Sequence, residues 1–432
     1  MIYIHIPFCR SFCTYCDFYS EVASRCRKAE DALKQETLFG EFAEAVVAEA
    51  VARDSEIRDD VNTLYIGGGT PSVLPLSAFR HIVGTLASLG HGTQGRPFDE
   101  FTVEVNPEDI LEKGHAYVEG LLELGVNRIS MGVQSFDDSV LRFMNRRHSA
   151  AEAARAYAIL EEAGVRNISI DLIFGLPQLS LPQWRETLDK ALSISSRGVL
   201  PQHISSYQLS VEPGSMLARM AEKGRWSEAS EDVCREQYAE LCSALASAGY
   251  NHYEISNFSQ PGYEARHNSA YWSHVPYVGL GPGSHSFLSG HSDASFDSTL
   301  RHSNDSSHCI PNCLPDDSPR CHFERPEGVE KSSVRTWNRP DLQSYLDAFR
   351  HGDFSSVREG EALTPDQLTL EFMMLGLRTS AGLPAAWLRT HCAPAALSRA
   401  LSLGHLTPVS DSHLRIPERH FFISDAIISA LV

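Results

Sequence analysis

His5-Ile6-Pro7-Phe8-Cys9-Arg10-Ser11-Phe12-Cys13-Thr14-Tyr15-Cys16 is the stretch on which the reading of this chain turns. Its cysteines follow a C-x3-C-x2-C spacing, so three thiolates on one short loop can each take a corner of a 4Fe-4S cubane. The fourth iron is then left open to a small molecule, which implies chemistry at the cluster rather than electron transfer alone. The competing reading is a zinc site or three unligated thiols. Zinc sites, however, prefer C-x2-C pairs matched by a second pair or by histidines downstream.

Outward from this loop, short strand-like runs recur at residues 2–6, 61–66, 101–105, 127–133, 167–173 and 203–209, each entering a glycine-rich or polar loop and then a helical stretch. The segments 42–50, 151–163 and 184–194 between them place apolar residues at helical spacing. Parallel strands need such crossovers, so the pattern predicts an α/β fold, a partial (β/α)6 TIM-like barrel. A barrel of this kind carries its site at the carboxyl ends of its strands, and the cysteine loop follows the first one.

The chain of 432 residues, 42% of them apolar, is long enough for one large α/β domain and a smaller one. Its net charge of −18, with no block rich in lysine and arginine, argues against nucleic acid or an anionic membrane as partner. No apolar run reaches the length of a membrane span, and Met1 is followed by Tyr3-Ile4-His5 rather than a basic and then apolar leader. Together with a motif that needs reduced thiolates, this predicts a cytoplasmic protein. Composition divides the chain into a core barrel with its extension at 1–288, an insertion at 289–334 and a smaller, mainly helical C-terminal domain at 335–432. The insertion is rich in Ser, His, Asp and Pro and reads as disordered. Its His308-Cys309, Cys313 and Cys321-His322 could bind a soft metal, although the spacing fits no common site and the loop-like reading is the plainer one. Cys26, Cys234, Cys242 and Cys392 are scattered and read as ordinary thiols.

The strand ends carry further motifs. Gly67-Gly68-Gly69-Thr70-Pro71-Ser72 lets a ligand approach the backbone, or is simply a tight strand-to-helix turn. Glu104, in Val103-Glu104-Val105-Asn106-Pro107, can accept bonds from hydroxyls or an ammonium, or is a solvated loop acid. Ser130-Met131-Gly132-Val133-Gln134-Ser135-Phe136, Met144-Asn145-Arg146-Arg147 and the run from Asn167 through Asp171 to Pro177 complete the set. With the cysteine loop and its Tyr15, these motifs resemble the radical S-adenosylmethionine (SAM) superfamily. The resemblance is to the branch holding oxygen-independent coproporphyrinogen III oxidase and the HemW-type heme chaperones.

That resemblance implies a 4Fe-4S cluster on Cys9, Cys13 and Cys16, with SAM on the open iron and reductive cleavage of SAM to a 5′-deoxyadenosyl radical. It implies a SAM pocket lined by Tyr3, Tyr15, Gly68, Gly69, Thr70, Glu104, Gln134, Arg146 and Asp171. Within the branch, the oxidase resembled here carries one more cysteine after its cluster triplet, where this chain has Phe18, and a long segment before it, where this chain has eight residues before Cys9. Tyr253-Glu254-Ile255-Ser256-Asn257-Phe258, Arg266-His267-Asn268-Ser269-Ala270-Tyr271-Trp272 and the run from Tyr277 to Ser286 resemble the chaperone side instead. His267 could ligate heme iron while the aromatics contact the macrocycle, or it could bond structurally in a packed turn. The expectation is a protein that binds cluster, SAM and heme and hands heme to a recipient apo-hemoprotein such as a respiratory one. Oxidative decarboxylation of coproporphyrinogen III is the alternative.

Overall fold

The computed structural model describes residues 1–22, 29–58, 61–289 and 333–432. Cys26 and the 308–322 Cys/His group, with nearly all of the 289–334 insertion, therefore lie outside the described residues. Those described form two units that interleave in sequence, unlike the contiguous 1–288 and 335–432 division suggested by composition. The first holds Met1–Leu241, Tyr277–Ser286 and Thr336–Glu359; the second holds Cys242–Pro276, Phe287–Arg335 and Gly360–Val432.

The first unit is built on parallel strands β1 (Ile2–Ile6), β2 (Thr63–Gly68), β3 (Glu100–Val105), β4 (Arg128–Gln134), β5 (Ile168–Phe174), β6 (His203–Gln208) and β7 (Val278–Leu280). They lie in the order β7-β1-β2-β3-β4-β5-β6. All six strand-like runs are present, within two residues of their expected bounds, as an open, partial barrel. The reason is physical: parallel strands covered on both faces need near-continuous apolar runs. Ile2, Ile4, Leu64, Ile66, Phe101, Val103, Ile129, Met131, Ile170 and Leu172 are accordingly buried. The added strand β7 pairs with β1 through Ile2 to Val278 and Ile4 to Leu280.

Crossover helices α1 (Ala29–Ala52), α2 (Leu76–Ser88), α3 (Pro107–Glu123), α4 (Asp138–Phe143), α5 (Ala150–Glu162) and α6 (Leu181–Leu192) join the strands. Their starts are encoded locally. Ser149 with Glu152 and Ser180 with Gln183 form capping boxes at α5 and α6, each satisfying two backbone donors that a helix start leaves open. Helix α2 buries Ala78, Phe79, Ile82, Val83 and Leu86, a stripe at helical spacing.

The second unit is mainly helical over its last segment, with helices at Pro365–Leu377, Ala385–His391, Pro394–Ser402 and Ser424–Ser429. A small antiparallel sheet orders Leu383–Pro384, His413–Arg415 and Thr407–Pro408. Among the described residues, no helix is long and apolar enough to cross a membrane.

Candidate cluster and cofactor site

The cysteine loop leaves β1 and is fastened to the segment after α4. Thr14 N donates to Met144 O at 3.2 Å, its hydroxyl donates to Phe143 O at 3.2 Å, and Asn145 Nδ2 donates to Phe12 O at 2.6 Å. Asn145 adopts φ 58°, a left-handed turn that asparagine tolerates better than most side chains. Gly69 N donates to Ile6 O at 2.8 Å and ties the loop's root to the end of β2.

On this frame Cys9 is buried, and Cys13 and Cys16 are half-buried. Burial raises the Cys9 thiol, and burial with the neighbouring Cys13 pushes Cys16 up to about 12. Iron supplies the positive charge that makes such thiolates favourable, releasing protons as it binds. Among the described residues, no group of three His, Cys, Asp or Glu side chains is arranged to hold a metal ion. The donor set itself, three thiols on one short loop, is the one a cubane takes, one thiolate to a corner.

Arg146 closes the site from the other side. Its Nη1 donates to Cys13 Sγ at 3.4 Å, and its Nη2 donates to Asn106 Oδ1 at 2.5 Å and to Gly132 O at 2.7 Å. Burial disfavours its charge, but the Cys13, Tyr15 and Glu108 groups outweigh that and hold its pKa above the usual arginine value. Its buried Nε has no hydrogen-bond partner among the described residues, leaving a donor for a bound acceptor. Asn106 Nδ2 donates to Thr70 Oγ1 at 3.1 Å, and Thr70 Oγ1 lies 3.4 Å from Cys9 Sγ. Tyr15 bonds to Cys13. Gln134, with φ 67°, sits at a register shift between β4 and β5, and a Cβ on Gly132 would come within 2.9 Å of its amide nitrogen.

Glu104 lies beside the glycine turn. Tyr65 Oη donates to its Oε1 at 2.7 Å and Gly68 N to its Oε2 at 3.1 Å. Gly68 has φ 107°, and a Cβ there would sit 2.7 Å from the His5 ring; at Gly69 it would meet the Phe8 carbonyl at 2.8 Å. Only glycine allows the turn to pack this closely against its neighbours. His5 is itself pinned, with Nε2 at 2.8 Å from Tyr19 O, so that nitrogen carries the proton and Nδ1 accepts from Tyr3 Oη at 3.1 Å. Burial lowers the His5 pKa to about 4, consistent with a neutral ring. Asp171 accepts from Ser130 Oγ at 3.1 Å and from Ser205, and burial raises its pKa.

Burial, reinforced by Asp171, raises Glu104 to about 7 against the opposing bonds from Tyr65 and Gly68. A carboxylate accepts hydrogen bonds from ligand hydroxyls and ammonium groups best when ionised. SAM affinity is therefore expected to rise as pH increases through about 7 and then level off. Glu104→Gln should flatten that profile, as calorimetric titrations between pH 6 and 8 would show; an unchanged profile would remove Glu104 from the ligand.

Residues 3–191 match the model of the Radical SAM superfamily. The chain is 31% identical to the heme chaperone HemW of Synechocystis sp. over 386 residues, covering 89% of this chain and 79% of that protein. It is 33% identical to the Bacillus subtilis heme chaperone HemW, covering 88% and 83%. It belongs to the HemW family of radical SAM proteins. Among solved structures, the Escherichia coli coproporphyrinogen III oxidase HemN, a radical SAM enzyme, covers 100% of this chain and 89% of its own at a TM-score of 0.70. At 19% identity that likeness shows the fold.

In this HemW-family chain, the site brings together Cys9 with Thr70 and Cys13 with Tyr15 and Arg146 through direct contacts, with Cys16 close enough to feel the charge of Cys13 and Cys9, while Tyr3 bonds to His5 and Gly68 and Tyr65 bond to Glu104. His267 belongs to the second unit. It lies on a short helix, Arg266–Trp272, fully buried, with Nε2 at 3.1 Å from Tyr271 Oη. Its ring is therefore buried and bonded within its own helix. Asn106 and His5 were not singled out from sequence. Asn106 sits at the N-cap of α3, before Pro107, but its side chain does not cap the helix.

Proposed function

We propose that this protein is a heme chaperone that holds a 4Fe-4S cluster on Cys9, Cys13 and Cys16, binds SAM and heme, and delivers heme to a recipient apo-hemoprotein in the cytoplasm. The observation that carries the reading is the likeness to HemW chaperones over nearly nine-tenths of the chain. Phe18, where the oxidase it resembles has a further cysteine, is 61% exposed and offers no thiolate. The shared fold with the oxidase HemN does not carry its substrate over.

When bound, the cluster supplies an electron to the SAM sulfonium. The chain's own residues prepare the place. Arg146 presents its unpartnered Nε to an acceptor such as a carboxylate, while Glu104 and Asp171 are preset as acceptors by Tyr65, Gly68, Ser130 and Ser205. The glycine turn lets the end of β2 close directly onto His5 and the root of the cysteine loop, which sets Glu104 and Cys9 in place.

For heme, the Arg266–Trp272 helix is the proposed contact element, but ligation by His267 needs its ring to leave Tyr271 and turn out of its buried position. If it does so, His267→Ala weakens heme binding, read from the Soret titration, at unchanged iron content. Unchanged heme affinity would leave His267 a packing residue. The chaperone reading itself is tested by mixing heme-loaded protein with an apo-cytochrome and following recipient holoprotein by spectrum after separation. Heme that stays on the donor with and without cluster and SAM would count against delivery.

A further inference from the structure

The hydrogen bonds around Arg146 have a fixed direction. A guanidinium only donates, so the Asn106 atom 2.5 Å from Nη2 must be its carbonyl oxygen, which turns its NH2 toward Thr70 Oγ1 at 3.1 Å. Thr70 Oγ1 is thus an acceptor from Asn106, and its own proton is left to point at Cys9 Sγ, 3.4 Å away. The same guanidinium donates directly to Cys13 Sγ. One cation therefore sends hydrogen bonds into both sulfurs, one direct and one through Asn106 and Thr70. The Asn106 side chain is diverted to this chain although it occupies the N-cap of α3, where asparagine ordinarily bonds the helix amides.

We propose that the Arg146–Asn106–Thr70 relay tunes the reduction potential of the cluster through Cys9 and Cys13, with Thr70 acting on the Cys9 sulfur rather than as a simple SAM contact. Hydrogen bonds to ligating sulfurs stabilise the extra negative charge of the reduced cluster and raise its potential. The inference rests on the cluster assignment above. Ser20 adds a second hydroxyl bond to Cys9, so removing Thr70 alone lowers the potential without stripping the sulfur bare.

The test is an electron-paramagnetic-resonance redox titration of anaerobically reconstituted protein without SAM, so that lost SAM contacts cannot enter. Thr70→Val, which keeps the shape and removes the hydroxyl, shifts the midpoint to a more negative value, and Thr70→Ser holds it near wild type. Equal midpoints for wild type, valine and serine variants at equal iron content would overturn the relay. Should the valine variant fail to hold iron, Thr70→Ala against Thr70→Ser gives the same comparison with the same two outcomes. Wild-type protein that assembles no cluster would instead overturn the cluster assignment, a failure visible in the iron content before any titration.

Discussion

Cys9→Ala, Cys13→Ala and Cys16→Ala are each expected to leave the reconstituted protein with iron near background and without iron–sulfur absorption. Three protein thiolates are the minimum this loop offers, and losing one leaves two corners of a cubane unsupported. The fold should persist. The loop is fastened by bonds from Thr14, Asn145 and Gly69 rather than by the thiols, and the sheet beneath is complete without them. Far-ultraviolet circular dichroism and melting midpoints near wild type, beside lost iron, are the expected pair. Full iron content in any of the three would contradict the assignment.

Glu49→Ala is expected to damage the fold itself. Glu49 is buried on α1 and accepts four bonds, from Arg53 Nη1 at 2.9 Å, Asn338 Nδ2 at 2.8 Å, Gly281 N at 2.9 Å and Tyr345 Oη at 2.7 Å. Arg53 in turn donates to Gly279 O and Ser286 Oγ, so this pair joins α1 to the strand β7 and the segment around residue 338. Removing Glu49 leaves Gly281 N, Asn338 Nδ2 and Tyr345 Oη without this acceptor and Arg53 with only Glu56 to balance its charge, and the loss of such a buried network costs about 3–5 kcal/mol. At about 2–4 °C per kcal/mol for a domain of this size, the melting midpoint should fall by on the order of 10 °C. Differential scanning calorimetry reads it directly, and a midpoint within 2 °C of wild type, by order of magnitude less than the loss of one such partner, would refute the argument.

The fold was legible where burial imposes a pattern. Strands β1 to β5 carry buried apolar residues bounded by turns, and the helices between them show in apolar residues at helical spacing. Strand β7 was not, because the three residues Val278–Leu280 are too short for any periodicity, and what places them is the long-range Glu49–Arg53 network. The same network explains why residues 336–359 belong to the first unit although composition groups them with the C-terminal segment.

Within the candidate site, the cysteine loop was legible from spacing, Gly68 and Glu104 from their places at strand ends, and Asp171 only through the resemblance. Asn106 and His5 left no such signal. A lone polar residue shows its use only when the fold brings it to Thr70, Arg146, Tyr3 or Tyr19 from elsewhere in the chain. His267 shows the converse: a motif next to two aromatics suggested a ligand, and the helix buries it against Tyr271.

The central claim, that this radical SAM site serves heme delivery rather than porphyrinogen oxidation, is tested most directly by anaerobic turnover. Reconstituted protein of verified iron content is given SAM, reductant and coproporphyrinogen III, and porphyrins and 5′-deoxyadenosine are separated by chromatography. An intact cluster that yields no protoporphyrinogen is the expected result. Protoporphyrinogen formed with SAM consumed in proportion would make the protein an oxidase despite Phe18 and contradict it.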